Sequence, residues 1–192
     1  MKVNLREIHG PWDAGWVLDK HMDHSTYLGD LNGRPQFDNV RTEAGEATFQ
    51  LKYRFAWDQA PALAQALADN IYPKLASVGF IVPMPASKKR DRQPVAEVAQ
   101  ALGKLVGTPV FDELLNKAPN GQPLKDLPDK ASKLAAIGDG FSVRDDLEGD
   151  GPWNVLVIDD LYQTGASMEA ACKVLRTYPK VRRIYMAALT WS

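Results

Sequence analysis

The sequence predicts an α/β protein built on a parallel, doubly wound sheet. Three observations predict it. Short apolar runs recur at Phe80–Pro83, closed by prolines, at Val155–Ile158, closed by two acids, and at Arg183–Leu189, the form of strands buried on both faces. Apolar residues at helical spacing precede the first run, at Leu63, Leu67, Ile71 and Leu75, and follow it, at Val95, Val98, Ala99 and Leu102. The two patterns alternate along the chain, which implies parallel pairing through right-handed crossovers.

The elements follow in order. Residues 1–48 are rich in Trp, Gly, Asp and Asn, with turn signals from Gly29 to Pro35. They read as short strands and loops, a small hood or appendage on an α/β core spanning residues 49–192. Residues 46–54 alternate enough to predict a strand. A helix begins at Asp58 and is closed by Gly79, and Phe80–Pro83 is a strand stopped by prolines. A second helix opens at Pro94 and buries Val95, Val98, Ala99, Leu102 and Leu105. Pro109–Phe111 is the next strand. Residues 113–137 carry Pro119, Pro123 and Pro128 interleaved with Lys117, Lys125, Lys130 and Lys133, a long loop of the functional or disordered kind. Gly140–Val143 is a short strand, and Gly149–Pro152 a turn. Met168, Ala171, Cys172 and Leu175 form the stripe of a third helix ended by Pro179, before the last strand.

Composition bounds the function. The chain has 192 residues, 45% hydrophobic and 24% charged, with a net charge of −1. That fits a single domain and gives no support to nucleic-acid binding by bulk charge. The single cysteine, Cys172, forms no intrachain disulfide and reads as core. The absence of an apolar signal core or a run of transmembrane length predicts a cytoplasmic protein that does not enter the membrane.

The chemistry concentrates in Val155–Ser167. An apolar strand runs into Asp159 and Asp160, then into a loop of Gln163, Thr164, Gly165, Ala166 and Ser167 that opens a helix. A helix start offers free amides and positive dipole to an anion. Two acids beside such a cradle suit a ligand that carries hydroxyls as well as phosphate, as a sugar phosphate does. A second loop after Phe80–Pro83, with Ala86, Ser87, Lys88, Lys89 and Arg90, lands at the same sheet edge. It reads equally as a pyrophosphate site or a solvated helix entry.

The Val155–Ser167 segment resembles the 5-phosphoribosyl-1-pyrophosphate (PRPP) motif of type I phosphoribosyltransferases. Tyr162 stands where that family has a small aliphatic residue, and Gln163 where it commonly has Thr or Ser. Tyr at this place is similar to the competence protein F-like (ComF-like) branch. So are Phe49–Arg54, Ile81–Arg90 and Gln122–Phe141, although the zinc ribbon of that branch is missing. The resemblance implies one phosphoribosyltransferase-like domain over residues 1–192. It implies PRPP as substrate and Mg²⁺ held mainly through PRPP rather than by a protein cage. It also implies transfer of the 5-phosphoribosyl group to a nitrogen acceptor with loss of pyrophosphate. By the same resemblance, Asp159 and Asp160 hold the ribose, Gln163 to Ser167 the 5-phosphate and Ala86 to Arg90 the pyrophosphate. Lys117, Lys125 and Lys130 are assigned as a lid. A PRPP-binding regulator without transfer activity and an accessory role in DNA uptake or processing are the alternatives. The acceptor and a homo-oligomeric state are left open.

Three further features have two readings each. His21-Met-Asp-His24 is a metal site or a polar loop, the loop being favoured because a fixed coordination sphere needs more ligands. Trp12, Trp16 and Tyr27 form core or an apolar lid, core being favoured. Tyr162 touches the acceptor or walls the loop.

Overall fold

The computed structural model describes residues 1–86, 91–117 and 140–192. Along the chain run β1 (Arg6–Glu7), β2 (Ala14–Lys20), β3 (Met22–Leu31), β4 (Arg34–Arg41), α1 (Glu43–Tyr53), α2 (Gln59–Asn70), β5 (Phe80–Pro83) and α3 (Pro94–Val106). Then follow β6 (Leu115–Lys117), β7 (Phe141–Val143), β8 (Trp153–Tyr162), α4 (Ala166–Arg176) and β9 (Val181–Trp191). The central sheet has the order β1-β2-β9-β8-β5. Strands β2, β9, β8 and β5 are parallel, and only β1 runs antiparallel at the edge.

Helices cover both faces, as the alternation of strands and helices predicts. Leu156, Ile158, Tyr185 and Ala187 pack on one side against Leu51, Leu63, Leu67, Val98 and Leu102 of α1, α2 and α3. Val155, Val157, Met186 and Ala188 pack on the other against Met168, Ala171, Cys172 and Leu175 of α4. Each of these larger side chains contributes about 1.5–3 kcal/mol by leaving water.

Residues 14–20 of the N-terminal segment belong to this sheet through β2. Residues 22–41 form a separate hairpin of β3 and β4. Its tip, Asn32 at φ 53° and Gly33 at φ 74°, has both central residues left-handed, as a two-residue primed turn requires.

Several expectations are corrected. Residues 46–54 form no strand, because α1 occupies Glu43–Tyr53. The Thr42 hydroxyl caps this helix by accepting from the Gly45 N–H at 3.0 Å. Its buried residues are Ala44, Gly45, Ala47, Thr48 and Leu51, and Ala44, Ala47, Thr48 and Leu51 keep the spacing of one helical face. The alternation of Phe49-Gln-Leu-Lys-Tyr masks that longer period. The Asp58 helix ends at Asn70, and Tyr72–Lys74 make a single 3₁₀ turn around Pro73. Leu105, expected inside, is 51% exposed. Pro109–Phe111 gives one bridge, Val110 to Ile81, rather than a strand. Strand β8 does not stop at Ile158 but continues through both acids to Tyr162, paired with β9 as far as Trp191. Helix α4 ends at Arg176, with Thr177 as its cap.

Candidate functional site

The longer β8 determines where the acids point. Strand side chains alternate between faces. Asp159 therefore continues the row of Val155 and Val157, toward α4, and Asp160 the row of Leu156 and Ile158, toward α1. Their backbone is fixed on two sides. The Asp160 N–H donates to Asp159 Oδ1 at 2.8 Å, and Thr190 Oγ1 donates to the Asp160 carbonyl at 2.9 Å. On the α1 side, Lys52 Nζ lies 2.5 Å from Asp160 Oδ2.

After β8 the chain turns sharply at Gly165, whose φ is +82°. A side chain there is strained by that φ, and its Cβ would sit 3.2 Å from Tyr162 Cε2. The Tyr162 ring is thus a wall of the turn. Helix α4 begins immediately, and the Glu169 N–H donates to the Gly165 carbonyl at 2.8 Å. The amides of Ala166, Ser167 and Met168 come before that bond and have no intrahelical acceptor. Thr164 Oγ1 accepts from the Ala166 N–H at a long 3.4 Å. The turn encloses a recess of about 140 Å³ lined by Gln163, Thr164, Gly165, Ala166 and Ser167 together with Asp159.

That recess adjoins a larger cavity of about 400 Å³, with Asp159, Leu161 and Ser167 common to both. Asp160, Lys52 and Tyr53 form part of its wall, Met84 to Ala86 another part, and Lys117 and the start of α3 a third. Carboxylates, ammonium groups and open amides therefore converge at the carboxyl edge of the sheet, where open α/β sheets bind ligands.

The electrostatics divide the acid pair. Asp159 retains some exposure as a residue, but its carboxyl group lies deep. Burial, then the neighbouring Asp160 charge, pushes its pKa up to about 7, while the Asp160 N–H, Lys52 and Lys117 oppose the shift. Asp160 has Lys52 against it. His21, at the root of the hairpin, has its pKa lowered by burial and then by the Arg41 and Lys52 charges, with Asp160 and Glu46 opposing. Its Nδ1 is buried without a hydrogen-bond partner.

Sequence reasoning and structure meet on several residues. Asp159, Asp160, Gln163, Thr164, Gly165, Ala166 and Ser167 come together, and Ala86 and Lys117 line the same cavity. Ser87, Lys88, Lys89, Arg90, Lys125 and Lys130 lie outside the described residues. Lys52 is the residue that sequence reasoning missed. Assigning Phe49–Arg54 to a strand hid that it stands in the last turn of a helix, directed at the acids. Trp12 is core, 7% exposed, with its Nε1–H donating to the Ile8 carbonyl at 3.0 Å. Trp16 packs against the core, whereas Tyr27 is 55% exposed on β3. His24 lies on strand β3 rather than in a loop. Among the described residues, no three His, Cys, Asp or Glu side chains gather to hold a metal ion. Two adjacent carboxyl groups, one paired with Lys52, suit a Mg²⁺ that arrives on a ligand's own oxygens and keeps most of its water. No helix among the described residues is long and apolar enough to cross a membrane.

No family model and no curated protein matches the chain. Among solved structures it is similar to adenine phosphoribosyltransferase from Leishmania tarentolae, at 11% identity over 97% of this chain and 96% of that one, with a TM-score of 0.43. Adenine phosphoribosyltransferase from Saccharomyces cerevisiae is 10% identical over 88% and 84% of the two chains, with a TM-score of 0.45. TT1426 from Thermus thermophilus is 19% identical over 69% and 72%, with a TM-score of 0.40.

Proposed function

We propose that this chain binds PRPP with Mg²⁺ and transfers the 5-phosphoribosyl group to a nitrogen acceptor, releasing pyrophosphate. One observation carries the reading: an open helix-initiating turn and an acid-lined cavity are continuous, and Asp159 belongs to both. A phosphate alone would be repelled by those acids. A phosphorylated sugar fits both parts, its phosphate on the amides of residues 164–167 and its ring hydroxyls donating to Asp159 and Asp160. The remaining volume, bounded by Lys117, Ala86 and the start of α3, takes the pyrophosphate and the acceptor.

The transfer breaks the bond from the anomeric carbon to pyrophosphate and forms one to nitrogen, whose proton leaves to water or a base. Positive charge grows on the ribose and negative charge on the leaving group. Groups fixed where those charges develop lower the barrier, each typically by about 3 kcal/mol. The acids lie on the ribose side, and Lys117 lines the same cavity. Mg²⁺, when bound, supplies further positive charge to the pyrophosphate oxygens.

A second reading, PRPP binding for regulation without transfer, is favoured by the Lys52–Asp160 ion pair, because one of the two acids is already engaged before a ligand enters. Incubation with PRPP, Mg²⁺ and a panel of nitrogen bases separates the two. Pyrophosphate release that requires one acceptor supports transfer. Saturable PRPP binding with no release supports regulation, and failure of PRPP to bind removes both.

A further inference from the structure

The geometry points to Lys52 as a positioning residue that fixes the Asp160 carboxylate for the hydroxyls of the ligand, an inference that rests on the PRPP reading. Asp160 has its backbone held at both ends, by the Asp159 carboxylate and by the Thr190 hydroxyl. What remains free is the torsion of its side chain. Lys52 Nζ stops that torsion by binding Oδ2 at 2.5 Å. Oδ1 is then the oxygen available for an incoming hydroxyl, and both side chains line the cavity.

Lys52 is itself anchored. It stands in the last turn of α1, next to Leu51, which is 1% exposed. The opposite end of α1 is fixed twice by Thr42, whose hydroxyl accepts from the Gly45 N–H and donates to the Lys20 carbonyl. The packing of Gly45 adds to this, since a Cβ there would collide with the His21 carbonyl. The Lys52 side chain is only 30% exposed and that of Asp160 18%, so water screens the pair less than it would at an open surface.

A cation, rather than a neutral donor, is needed at this position because Asp159 is the adjacent residue. Lys52 places a positive charge beside two neighbouring carboxyl groups that otherwise repel each other.

Binding of three probes to the full chain tests this, in wild type, Lys52→Met and Lys52→Arg. The probes are PRPP with Mg²⁺, ribose 5-phosphate, and pyrophosphate with Mg²⁺. A residue that acts through the ribose hydroxyls gives a selective pattern. Lys52→Met should weaken PRPP and ribose 5-phosphate by similar factors, on the order of tenfold or more, and leave pyrophosphate unchanged. Lys52→Arg should recover most of the loss. If Lys52→Met weakens pyrophosphate as strongly as PRPP, Lys52 contacts the leaving group and the positioning role is wrong. Unchanged binding of all three probes by Lys52→Met also overturns it. If wild type binds neither PRPP nor ribose 5-phosphate, the PRPP reading itself fails, which is distinguishable because no variant is then needed to see it.

Discussion

Asp159→Asn should remove a pH-dependent loss of stability that the ligand-free protein carries. In the fold, burial and the neighbouring Asp160 raise this carboxyl from 3.8 to about 7. A group that holds its proton more tightly when folded stabilises the fold below its unfolded value and loses that contribution as pH rises through its folded value. The loss therefore falls between about pH 4 and pH 7 and levels off above. A difference of about 3 between the two values has a ceiling of about 4 kcal/mol. The carboxyl faces an open cavity, so water re-enters around the charge and about 1–2 kcal/mol is the working figure. For a chain of this size, that is about 2–8 °C in the thermal midpoint. The assay is thermal unfolding of wild type and Asp159→Asn without ligand, at about pH 4.5 and about pH 8. The isosteric amide cannot ionise, so the variant should lose less stability between the two conditions by that margin. Equal losses in the two proteins would refute the placement of a buried, near-neutral carboxyl at this edge.

Other outcomes follow from the same geometry. Asp160→Asn should weaken PRPP binding by about tenfold to a hundredfold, read by calorimetry, because an amide accepts a hydroxyl less strongly than a carboxylate. Gly165→Ala should lower stability by about 1–2 kcal/mol from its left-handed φ, and it should also weaken ribose 5-phosphate binding, since the new methyl presses on Tyr162. Thr42→Ala should cost about 1 kcal/mol by removing the cap of α1, measured by denaturant unfolding, and an unaffected midpoint would contradict the helical assignment. Lys52→Met should move the pH window of the Asp159 loss upward, since Lys52 is one of the charges that opposes the rise.

Legibility in the sequence followed the strength of the local signal. Runs such as Val155–Ile158 and the stripe of Met168, Ala171, Cys172 and Leu175 are long or periodic enough to identify buried elements, and both are buried. The turn at Gln163–Ser167 was legible because a glycine and two hydroxyls at a strand-to-helix junction allow few other arrangements. Helix α1 was not legible, because its buried face is mostly alanine and threonine, while its larger residues happen to alternate. That one misreading concealed Lys52. The extension of β8 past Asp160 was also hidden, since carboxylates are poor strand formers and it is pairing with a distant strand, β9, that holds them extended. Residues 22–41 read as short strands and turns, and the Asn32-Gly33 tip explains why. Pro109–Phe111 has the composition of a strand, yet it pairs only through Val110, with both backbone bonds of the bridge going to Ile81.

In the proposed complex the amides opening α4 grip the phosphate of a sugar whose hydroxyls rest on Asp159 and Asp160. Amide-resolved NMR of the full chain titrated with ribose 5-phosphate tests it most directly. The N–H resonances of Thr164, Gly165, Ala166 and Ser167 should move together, with one affinity, and Asp160→Asn should weaken that affinity without moving the site. Resonances at this turn that stay fixed while ribose 5-phosphate binds elsewhere would contradict it.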